Sequence, residues 1–460
     1  MAGTRTDNLE GDVLISYDPS NGEMIGTVRK TDIDELGEKV RAARDAQKIW
    51  SALTIDERID YLNKCADALR GRAGEIAELL SREMGKDLRR STNEVMSCCD
   101  DVSFKTAEIK EALKTRVIDG DGMETQIQYN PLGVCAVIAP WNYPVSMGHW
   151  LIIPALTAGD TVIYKPSEET PLVAGAYVDA FNEVLPEGVL QTVYGDGKLG
   201  DALVRSEVDL VAFTGSRETG KKIMTSAASG LKRLVMEMGG KDPLIVLEDA
   251  DIERAARFAV ASSFENAGQM CVSTERILVD EKIADEFEEL AAANVRRYKI
   301  GPWTDPEANI GPIINDKQRN KIISHIEDAV AKGAKVLAGG TDHPPRYVLP
   351  TVLSNVTQDM LIWQEETFGP VACITRFRDL DEAVRLANDS TLGLGAAVFG
   401  KKDAEEVANR LEAGMVGINR GPIGIGDSPW VGAKQSGIGY HGSPDGHRQF
   451  TQVRTITRRK

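Results

Sequence analysis

Residues 134–166 read VCAVIAPWNYPVSMGHWLIIPALTAGDTVIYKP, and this stretch decides the class of fold. Two short apolar runs, VCAVIAP and DTVIYKP, lie on either side of a segment long enough for a helix of about a dozen residues. A buried strand, a crossover helix and a second buried strand form the repeating unit of a parallel sheet. Four later runs continue the alternation: LQTVYG (190–195), DLVAFTG (209–215), KRLVMEM (232–238) and PLIVLED (243–249). The sequence therefore predicts an α/β protein.

The segment before these strands, residues 31–113, predicts mostly helices. Thr31 and Thr54 are each followed three residues later by an acid, Asp34 and Glu57, as in a capping box that precedes a run with helical periodicity. We therefore expect a helix to begin directly after each threonine.

Length and composition exclude several classes of protein. A chain of 460 residues favours two or three domains. With 42% hydrophobic and 27% charged residues, and no apolar run long enough to cross a bilayer, it is typical of a globular protein that does not enter a membrane. The first twenty residues lack the apolar core of a secretory signal, which predicts a cytoplasmic location. Six cysteines without a CxxC pair predict free thiols, and five histidines without ligand spacing predict no metal site.

The charge balance argues against a nucleic-acid partner. The chain carries 54 basic against 70 acidic residues, a net charge of −16, whereas phosphate binding needs a basic face. Only the C-terminal stretch RTITRRK is locally basic, and its alternating start predicts a terminal strand.

Ligands of parallel sheets bind beyond the carboxyl ends of the strands, so the strand-to-helix junctions are candidate sites. The junction FTGSRETGKKI places Gly215 and Gly220 before and inside a predicted helix start, where free backbone N–H groups favour a phosphate. It nearly matches a P-loop, but Lys222 stands where Ser or Thr must hold magnesium. The dinucleotide fingerprint GxGxxG is not met either. A phosphate site, an NTPase and an ordinary tight turn all remain open at this point.

Three other short stretches each allow two interpretations. In YKPSEETP, Lys165 and Glu168 form either a grip on ribose hydroxyls or a solvated turn. In APWNYPV, Asn142 is either a helix cap or an amide donor aimed into a cleft. In NAGQMCVS, Cys271 is either a small buried side chain or a reactive thiol.

Taken together, these stretches resemble the aldehyde dehydrogenase superfamily, in its NAD(P)-dependent, non-acylating form with a cysteine nucleophile. The resemblance runs from about residue 12 to the end of the chain, and the matched motifs follow the order of the family. They are PWNYP (140–144), KPSEETP (165–171), FTGS (213–216) with Gly220, EMGGKDP (237–243), GQMCVS (268–273), EETFGPV (365–371) and SPWVGAKQSGIG (428–439).

The resemblance implies a catalytic role for three residues. Cys271 would be the nucleophile, since a soft thiolate both forms the thiohemiacetal and leaves from the thioester. Glu237 would activate the water that hydrolyses the thioester and would help to deprotonate the thiol. Asn142 and the Cys271 backbone N–H would stabilise the oxyanion. An acylating, coenzyme-A-dependent relative has no use for Glu237, and a non-catalytic relative would have lost Cys271 or Glu237.

The resemblance also implies a nicotinamide dinucleotide as cofactor. Its adenosine ribose would contact Lys165 and Glu168, and its pyrophosphate would lie near the helix that follows Gly215. Because Glu168 would bind a free 2′-hydroxyl and repel a 2′-phosphate, NAD is predicted, with NADP as the alternative. The full set of cofactor residues implied is Trp141, Lys165, Glu168, Gly215, Ser216, Gly220, Glu366 and Phe368.

From the family we further expect three structural units. A dinucleotide-binding domain would span residues 1–110 and 132–238, and a catalytic domain would span residues 239–434. Strands in residues 111–131 and 435–460 would mediate assembly into a homodimer or homotetramer, because a strand that leaves its own domain must pair elsewhere.

The aldehyde itself is the least determined feature. Relatives that oxidise succinate semialdehyde carry an arginine where Trp150 stands, so the cation for a far carboxylate is missing here. We expect an apolar, aromatic-lined tunnel that favours aliphatic or aromatic aldehydes, with a semialdehyde or a quaternary ammonium aldehyde of the betaine type as alternatives. For Met147, packing in the core is an equal alternative. The predicted pocket residues are Tyr143, Met147, Trp150, Met270, Val272 and Trp430.

Overall fold

The apolar run Val134–Ile138 lies at the centre of a parallel sheet in the computed structural model, which describes residues 9–460. The helices are α1 (Ile33–Trp50), α2 (Ile55–Gly71), α3 (Ala73–Met84), α4 (Leu88–Ala112), α5 (Ser146–Ala158), α6 (Pro171–Asn182), α7 (Gly197–Arg205), α8 (Arg217–Ala228), α9 (Ile252–Phe264), α10 (Ala284–Val295), α11 (Asp316–Ala331), α12 (Leu361–Gln364), α13 (Leu380–Asn388), α14 (Ala404–Asn409) and α15 (Ser443–Arg448). A short 3₁₀ turn, Glu265–Gly268, follows α9.

The strands are shorter than most of the helices. In chain order they are β1 (Leu9–Glu10), β2 (Val13–Tyr17), β3 (Met24–Arg29), β4 (Arg116–Gly120), β5 (Met123–Pro131), β6 (Val134–Ile138), β7 (Thr161–Lys165), β8 (Leu190–Thr192), β9 (Leu210–Gly215), β10 (Arg233–Met238), β11 (Asp242–Val246), β12 (Thr274–Asp280), β13 (Lys335–Ala338), β14 (Thr351–Ser354), β15 (Val371–Phe377), β16 (Leu392–Gly393), β17 (Gly395–Phe399), β18 (Met415–Ile418), β19 (Ala433–Lys434), β20 (Gly437–Ile438) and β21 (Thr451–Arg459).

The first large sheet has the strand order β20-β10-β9-β6-β7-β8, and its members from β10 to β8 run parallel. Their carboxyl ends meet at one edge, which carries Lys165 on β7, Gly215 on β9 and Glu237 on β10. Apolar side chains of the helices cover both faces, so these strands are buried along most of their length. The predicted α/β class is confirmed.

A second large sheet has the order β13-β14-β15-β12-β11-β17-β18 and is parallel except for β13. The run PLIVLED becomes β11 in this second sheet, whereas the other five runs form strands of the first. A buried apolar run specifies a strand but not the sheet it joins. The chain leaves the first sheet after Met238 and enters the second at Asp242, through Gly239 and Gly240.

The N-terminal helices form as expected, with one correction. Thr54 caps α2 in a full capping box with Glu57. The corresponding prediction for Thr31 is wrong, because Asp32 is the residue that caps α1. The Thr31 hydroxyl instead accepts a hydrogen bond from the Tyr194 backbone N–H at 3.1 Å. A hydrogen bond to a residue distant in the chain has thus replaced the expected helix cap.

A third sheet joins β21 to β5 and β5 to β4, and it carries the C-terminal strand that the sequence predicts. Most of the side chains of β4 and β21 are exposed. Gly437–Ile438, in contrast, joins the first sheet beside Glu237. The three predicted units stay a prediction. Among residues 9–460, no helix combines the length and the apolar character needed to cross a bilayer.

Candidate active site

Cys271 lies on a loop between the 3₁₀ turn and β12, and it is half-buried. The three residues Asn266, Ala267 and Gly268 all have positive φ, at 52°, 57° and 71°. At Gly268 a side chain would overlap the Gly369 backbone, so this position requires glycine for space as well as conformation. Such consecutive left-handed residues are costly and persist only where the surroundings fix them.

Gln269 supplies part of that fixation. It is 1% exposed, and its side chain bridges two segments. The amide oxygen accepts from the Ile314 N–H at 3.0 Å, and the amide nitrogen donates to the Asn266 carbonyl at 3.1 Å. The chain leading into the cysteine is thus tied to a loop more than 40 residues downstream.

Glu237 reaches the same place from the carboxyl end of β10. It is 4% exposed, and neither carboxylate oxygen accepts a hydrogen bond from the described residues. Burial raises its pKa to about 7, although Cys271, Trp430 and Thr214 lie close enough to oppose that rise. A carboxylate that titrates near neutral pH can both accept and release a proton.

The thiol is held in its protonated form. Burial, and after it the negative charge of Glu237, raises the pKa of Cys271 well above its usual range. Because the thiolate is the nucleophile, this thiol needs a proton acceptor at the moment of attack. Glu237 is placed to be that acceptor.

The paired glycines after β10, Gly239 and Gly240, allow other segments to approach the backbone closely. A side-chain carbon at Gly240 would lie 2.8 Å from the Cys271 carbonyl oxygen. One at Gly239 would overlap the Glu366 carboxylate. Glu366 accepts a hydrogen bond from the Gly240 N–H at 3.1 Å, and burial raises its pKa to about 7.

Asn142 is not a helix cap. Helix α5 begins four residues later, and its N-cap position, Val145, makes no side-chain hydrogen bond. The buried Asn142 amide donates instead to the Gln269 carbonyl at 3.1 Å, two residues before the cysteine. One N–H of this amide is therefore used in the network, and the second is available as a donor.

A buried ion pair that the sequence did not indicate lies beneath the Asn142 turn. Lys86 and Glu94 are 2.7 Å apart, with side chains only 1% and 2% exposed. The Lys86 ammonium donates to the Asn142 carbonyl at 2.9 Å, and Glu94 accepts from the backbone N–H groups of Val145 and Ser146. These contacts fix both ends of the turn.

A second buried pair, Lys241 with Glu275, holds the turn at residues 366–368. Although burial opposes it, the ammonium lowers the pKa of Glu275. The Glu275 carboxylate accepts from the backbone N–H groups of Thr367 and Phe368. No sequence motif indicates either pair, since a buried charge and a solvated one are identical in sequence.

The predicted cofactor residues fall into two groups. Lys165 is buried, donates to the Pro166 carbonyl at 3.0 Å and lies 3.6 Å from Glu168. An ammonium has three N–H groups, so donors remain for ribose hydroxyls. Ser216 is the N-cap of α8 and follows Gly215 at the end of β9. Gly220 lies against Met238, where it lets α8 pack closely on the sheet.

The second group is aromatic and acidic. Trp141 and Phe368 meet edge to face, with ring centroids 5.5 Å apart, near Glu366. Phe368 has a positive φ of 56°, which Glu275 supports through the Phe368 N–H. The donors at Lys165 and α8 and the acceptor at Glu366 suit a dinucleotide, whose pyrophosphate is anionic and whose riboses offer hydroxyl groups.

A cavity of about 290 Å³, which we call the tail tunnel, lies between α4, α5 and the segment 423–447. Trp150 and Trp430 line it, with ring centroids 5.5 Å apart, and both rings contact His441. The wall is less apolar than expected, because one face of α4 lies along it. Its polar side chains are Ser97, Asp101, Lys105, Ser146, His149, Ser428, His441 and His447.

The other four predicted pocket residues lie off this cavity. Tyr143 approaches the Met270 sulfur at 3.7 Å, and Val272 is buried against Leu394 and Met415. Met147 packs in the core beneath the first sheet, as its alternative interpretation had it. The helical spacing of Met147 and Trp150 does not place both on the tunnel wall, because His149, Trp150 and Ile153 present that face of α5.

Three potential metal ligands, Glu108, Asp427 and His447, cluster at one end of the tail tunnel. His447 Nε2 lies 2.9 Å from Asp427. The Lys105 ammonium is 3.1 Å from Glu108 and 3.9 Å from Asp427, so a protein cation already supplies the positive charge there.

Comparisons with known proteins identify the family and the fold of this chain. A sequence model of the aldehyde dehydrogenase family matches residues 7–456. A solved succinate-semialdehyde dehydrogenase from Burkholderia pseudomallei is 36% identical, with a TM-score of 0.95 over 97% of this chain and 95% of that chain. A betaine aldehyde dehydrogenase variant from Staphylococcus aureus, in complex with NAD+, is 35% identical, with a TM-score of 0.93 over 97% and 94%. An NADP-dependent glyceraldehyde-3-phosphate dehydrogenase from Bacillus halodurans C-125, complexed with NADP, is 33% identical, with a TM-score of 0.94 over 98% and 96%.

Proposed function

This chain belongs to the aldehyde dehydrogenase family, and we propose that it oxidises an aliphatic or aromatic aldehyde to the carboxylic acid with Cys271 as nucleophile. The family assignment confirms the resemblance seen in the sequence and makes the protein an oxidoreductase that uses NAD or NADP. One observation carries the proposal for the site. Glu237 is buried beside the Cys271 thiol and accepts no hydrogen bond from the described residues.

In the first step Glu237 accepts the thiol proton while Cys271 Sγ attacks the aldehyde carbon. The carbonyl oxygen becomes an oxyanion, and the free N–H of the Asn142 amide and the Cys271 backbone N–H donate to it. Each such donor typically contributes about 2.7 to 4 kcal/mol of transition-state stabilisation. The product is a thiohemiacetal.

The cofactor, when bound, supplies the hydride acceptor that oxidises this adduct to a thioester. Lys165 and Glu168 would hold the adenosine ribose, and the start of α8 at Ser216 would face the pyrophosphate. Trp141, Glu366 and Phe368 would border the nicotinamide end.

Before the last step Glu237 releases the thiol proton to solvent and becomes a carboxylate again. It then removes a proton from water, which adds to the thioester carbon and expels the Cys271 thiolate. The carboxylic acid leaves, and the thiolate regains a proton. A base with a pKa of about 7 is suited to this double duty, because it is neither too weak to accept a proton nor too strong to release it.

The substrate class rests on the tail tunnel. Trp150, Trp430, Ile153 and Met415 give it apolar surface, which favours an alkyl or aryl tail by about 0.8 kcal/mol per buried methylene. Overall similarity does not fix the tail. Relatives at 33 to 36% identity carry names of aldehydes with a carboxylate, a phosphate and a quaternary ammonium group. A semialdehyde and a betaine-type aldehyde are therefore retained as the alternatives.

The NTPase alternative is set aside. Membership of the family accounts for the glycine-rich junction, and Gly220 contacts Met238 within the protein. Lys222 offers no hydroxyl for a magnesium ion.

We also propose that the protein forms a homodimer or homotetramer through the third sheet. Aldehyde dehydrogenases are usually oligomeric. Strands β4, β5 and β21 expose large apolar side chains, and an exposed apolar edge is commonly covered by a second copy. These side chains are Val117, Ile118, Met123, Val453 and Ile456.

Initial rates over a panel of aldehydes, each measured with NAD and with NADP, test the proposed function. We expect medium-chain aliphatic or aromatic aldehydes to exceed succinate semialdehyde in kcat/KM. A clear preference for the carboxylated aldehyde would contradict the proposed substrate class, and an absence of aldehyde-dependent cofactor reduction would contradict the proposed activity.

A further inference from the structure

The proposed oxyanion donor, Asn142, lies in a turn that is held by contacts with other segments of the chain. Asn142 lies between β6 and α5, and no regular element includes it. Its side-chain amide donates to Gln269, and its carbonyl accepts from both the Lys86 ammonium and the Asn266 amide. The position of the donor is thus set by partners from outside its own turn.

Lys86 makes two contacts with one short segment, and its ion-pair partner makes two more. Besides its bond to the Asn142 carbonyl at 2.9 Å, its ammonium lies 3.8 Å from the centroid of the Tyr143 ring. Its ion-pair partner Glu94 accepts from Val145 at 3.0 Å and Ser146 at 3.1 Å. The pair therefore contacts the turn at four of its five residues, from Asn142 to Ser146.

Resting on the proposed function, we infer that Lys86 and Glu94 are positioning residues, which act through Asn142 to hold its amide at the oxyanion. The pair has no contact with the proposed nucleophile or base. Its burial suits this task, because charge-assisted hydrogen bonds away from water are short and strongly directional. Catalysis by an oxyanion donor depends on placement to within a fraction of an ångström.

A double-mutant cycle tests the inference. Removing only one partner would leave a buried, unpaired charge and destabilise the fold. We therefore use the paired variant Lys86→Met with Glu94→Gln, which removes both charges and leaves an oxygen at position 94 to accept from Val145 and Ser146. It is combined with Asn142→Ala, and kcat/KM is measured with saturating cofactor.

We expect the paired variant to lower kcat/KM by roughly tenfold or more in the otherwise unchanged protein. In the Asn142→Ala background we expect a further loss of less than about twofold, because the residue through which the pair acts is gone. Equal losses in both backgrounds would overturn the inference, since a merely structural role acts in either.

The other buried pair provides a matched control. Lys241→Met with Glu275→Gln removes the same two charges, but it loosens the turn at Thr367 and Phe368. The factors by which this control variant and Asn142→Ala lower kcat/KM should multiply. The control variant should also raise the Kd for the cofactor. The Lys86 and Glu94 variant should leave that Kd within about twofold. A large change in its cofactor Kd would contradict the inference.

A second variant covers the case in which the paired change prevents folding, which thermal melting detects. This variant is Lys86→Gln with Glu94→Gln, which leaves no unpaired charge and keeps a donor at position 86 that can reach toward Asn142. A partial loss of kcat/KM that disappears in the Asn142→Ala background supports the inference. A loss of kcat/KM that persists in that background overturns it. Asn142→Ala alone separates the two proposals. If that variant keeps full activity, the proposed oxyanion role fails whatever the pair does.

Discussion

The chemical end of the site, formed by Cys271, Glu237 and Asn142, is built differently from the tail tunnel. Each of its residues lies at a strand end or on a loop, and the two loops are fixed by buried hydrogen bonds. The tail tunnel is formed by faces of α4 and α5 and by the segment 423–447, with rings and polar side chains along its wall. A backbone held by buried hydrogen bonds keeps the reacting groups in one arrangement. Side chains on the tunnel wall can be substituted without moving that backbone. Substitutions at the chemical end should therefore affect all aldehydes alike, and those in the tunnel should change their ranking.

The largest effect should come from Cys271→Ala. Without the sulfur no covalent adduct forms, so we expect kcat to fall by roughly 10⁴-fold or more for every aldehyde in the panel. Cofactor binding should be nearly unchanged, as measured by fluorescence titration. Near-normal turnover would refute the assignment of the nucleophile.

Glu237→Gln should cause the next largest loss, on the order of 10² to 10⁴ in steady-state turnover. The amide cannot accept a proton from water, so release of the acyl group should slow more than its formation. Stopped-flow absorbance should then record a rapid burst of reduced cofactor followed by slow turnover. An unchanged steady-state rate would show that the base lies elsewhere.

The pH dependence of kcat is a further test of Glu237 as the base. Because burial raises the pKa of Glu237 to about 7, its basic form is lost as the pH falls through that value. We expect kcat to decline below about pH 7, and this acidic limb should disappear in Glu237→Gln. Glu366 also has a pKa of about 7, so Glu366→Gln is the control. If the limb vanishes there instead, Glu366 is its source.

Trp150→Ala tests the tunnel side of the comparison. Removing this ring takes away one of the two indole faces, so KM for long or aromatic aldehydes should rise by roughly tenfold, or about 1.4 kcal/mol. Short aldehydes that do not reach the ring should be affected much less. An equal rise in KM for aldehydes of every chain length would contradict the proposed difference between the chemical end and the tail tunnel.

The smallest effect should come from Glu168, at the far end of the cofactor site. Its charge would repel a 2′-phosphate, so Glu168→Ser should narrow the preference for NAD by several-fold through better use of NADP. The ratio of kcat/KM for the two cofactors measures this. Better use of NADP by the unchanged protein would contradict the prediction.

Local patterns predicted five strands of the first sheet and one of the second. All six apolar runs from residue 134 to residue 249 became strands, since a short buried run bounded by turn residues has few other stable forms. The motif matches also identified the nucleophile and the base as candidates, because loops at strand ends carry a recognisable order of residue types. The capping box at Thr54 formed for the same local reason.

The failures have a common physical cause. The expected cap at Thr31 was lost to a partner 163 residues away, Tyr194. The wall of the tail tunnel gained Asp101 and Lys105 from α4, which the sequence separates from Trp150 by more than 40 residues. In each case contacts distant along the chain decided the outcome.

The sequence by itself determined the α/β class, the family and the identity of Cys271 and Glu237 as candidates, because these depend on periodicity and on short motifs. Tertiary structure alone decided that Asn142 is a donor to Gln269 and not a helix cap, and that Lys86, Glu94, Lys241 and Glu275 are buried beneath the two turns of the site. The physical reason is that burial belongs to a position in space. A lysine that bonds a backbone carbonyl in the core has the same letter as one in water, and only the packing around it sets its role.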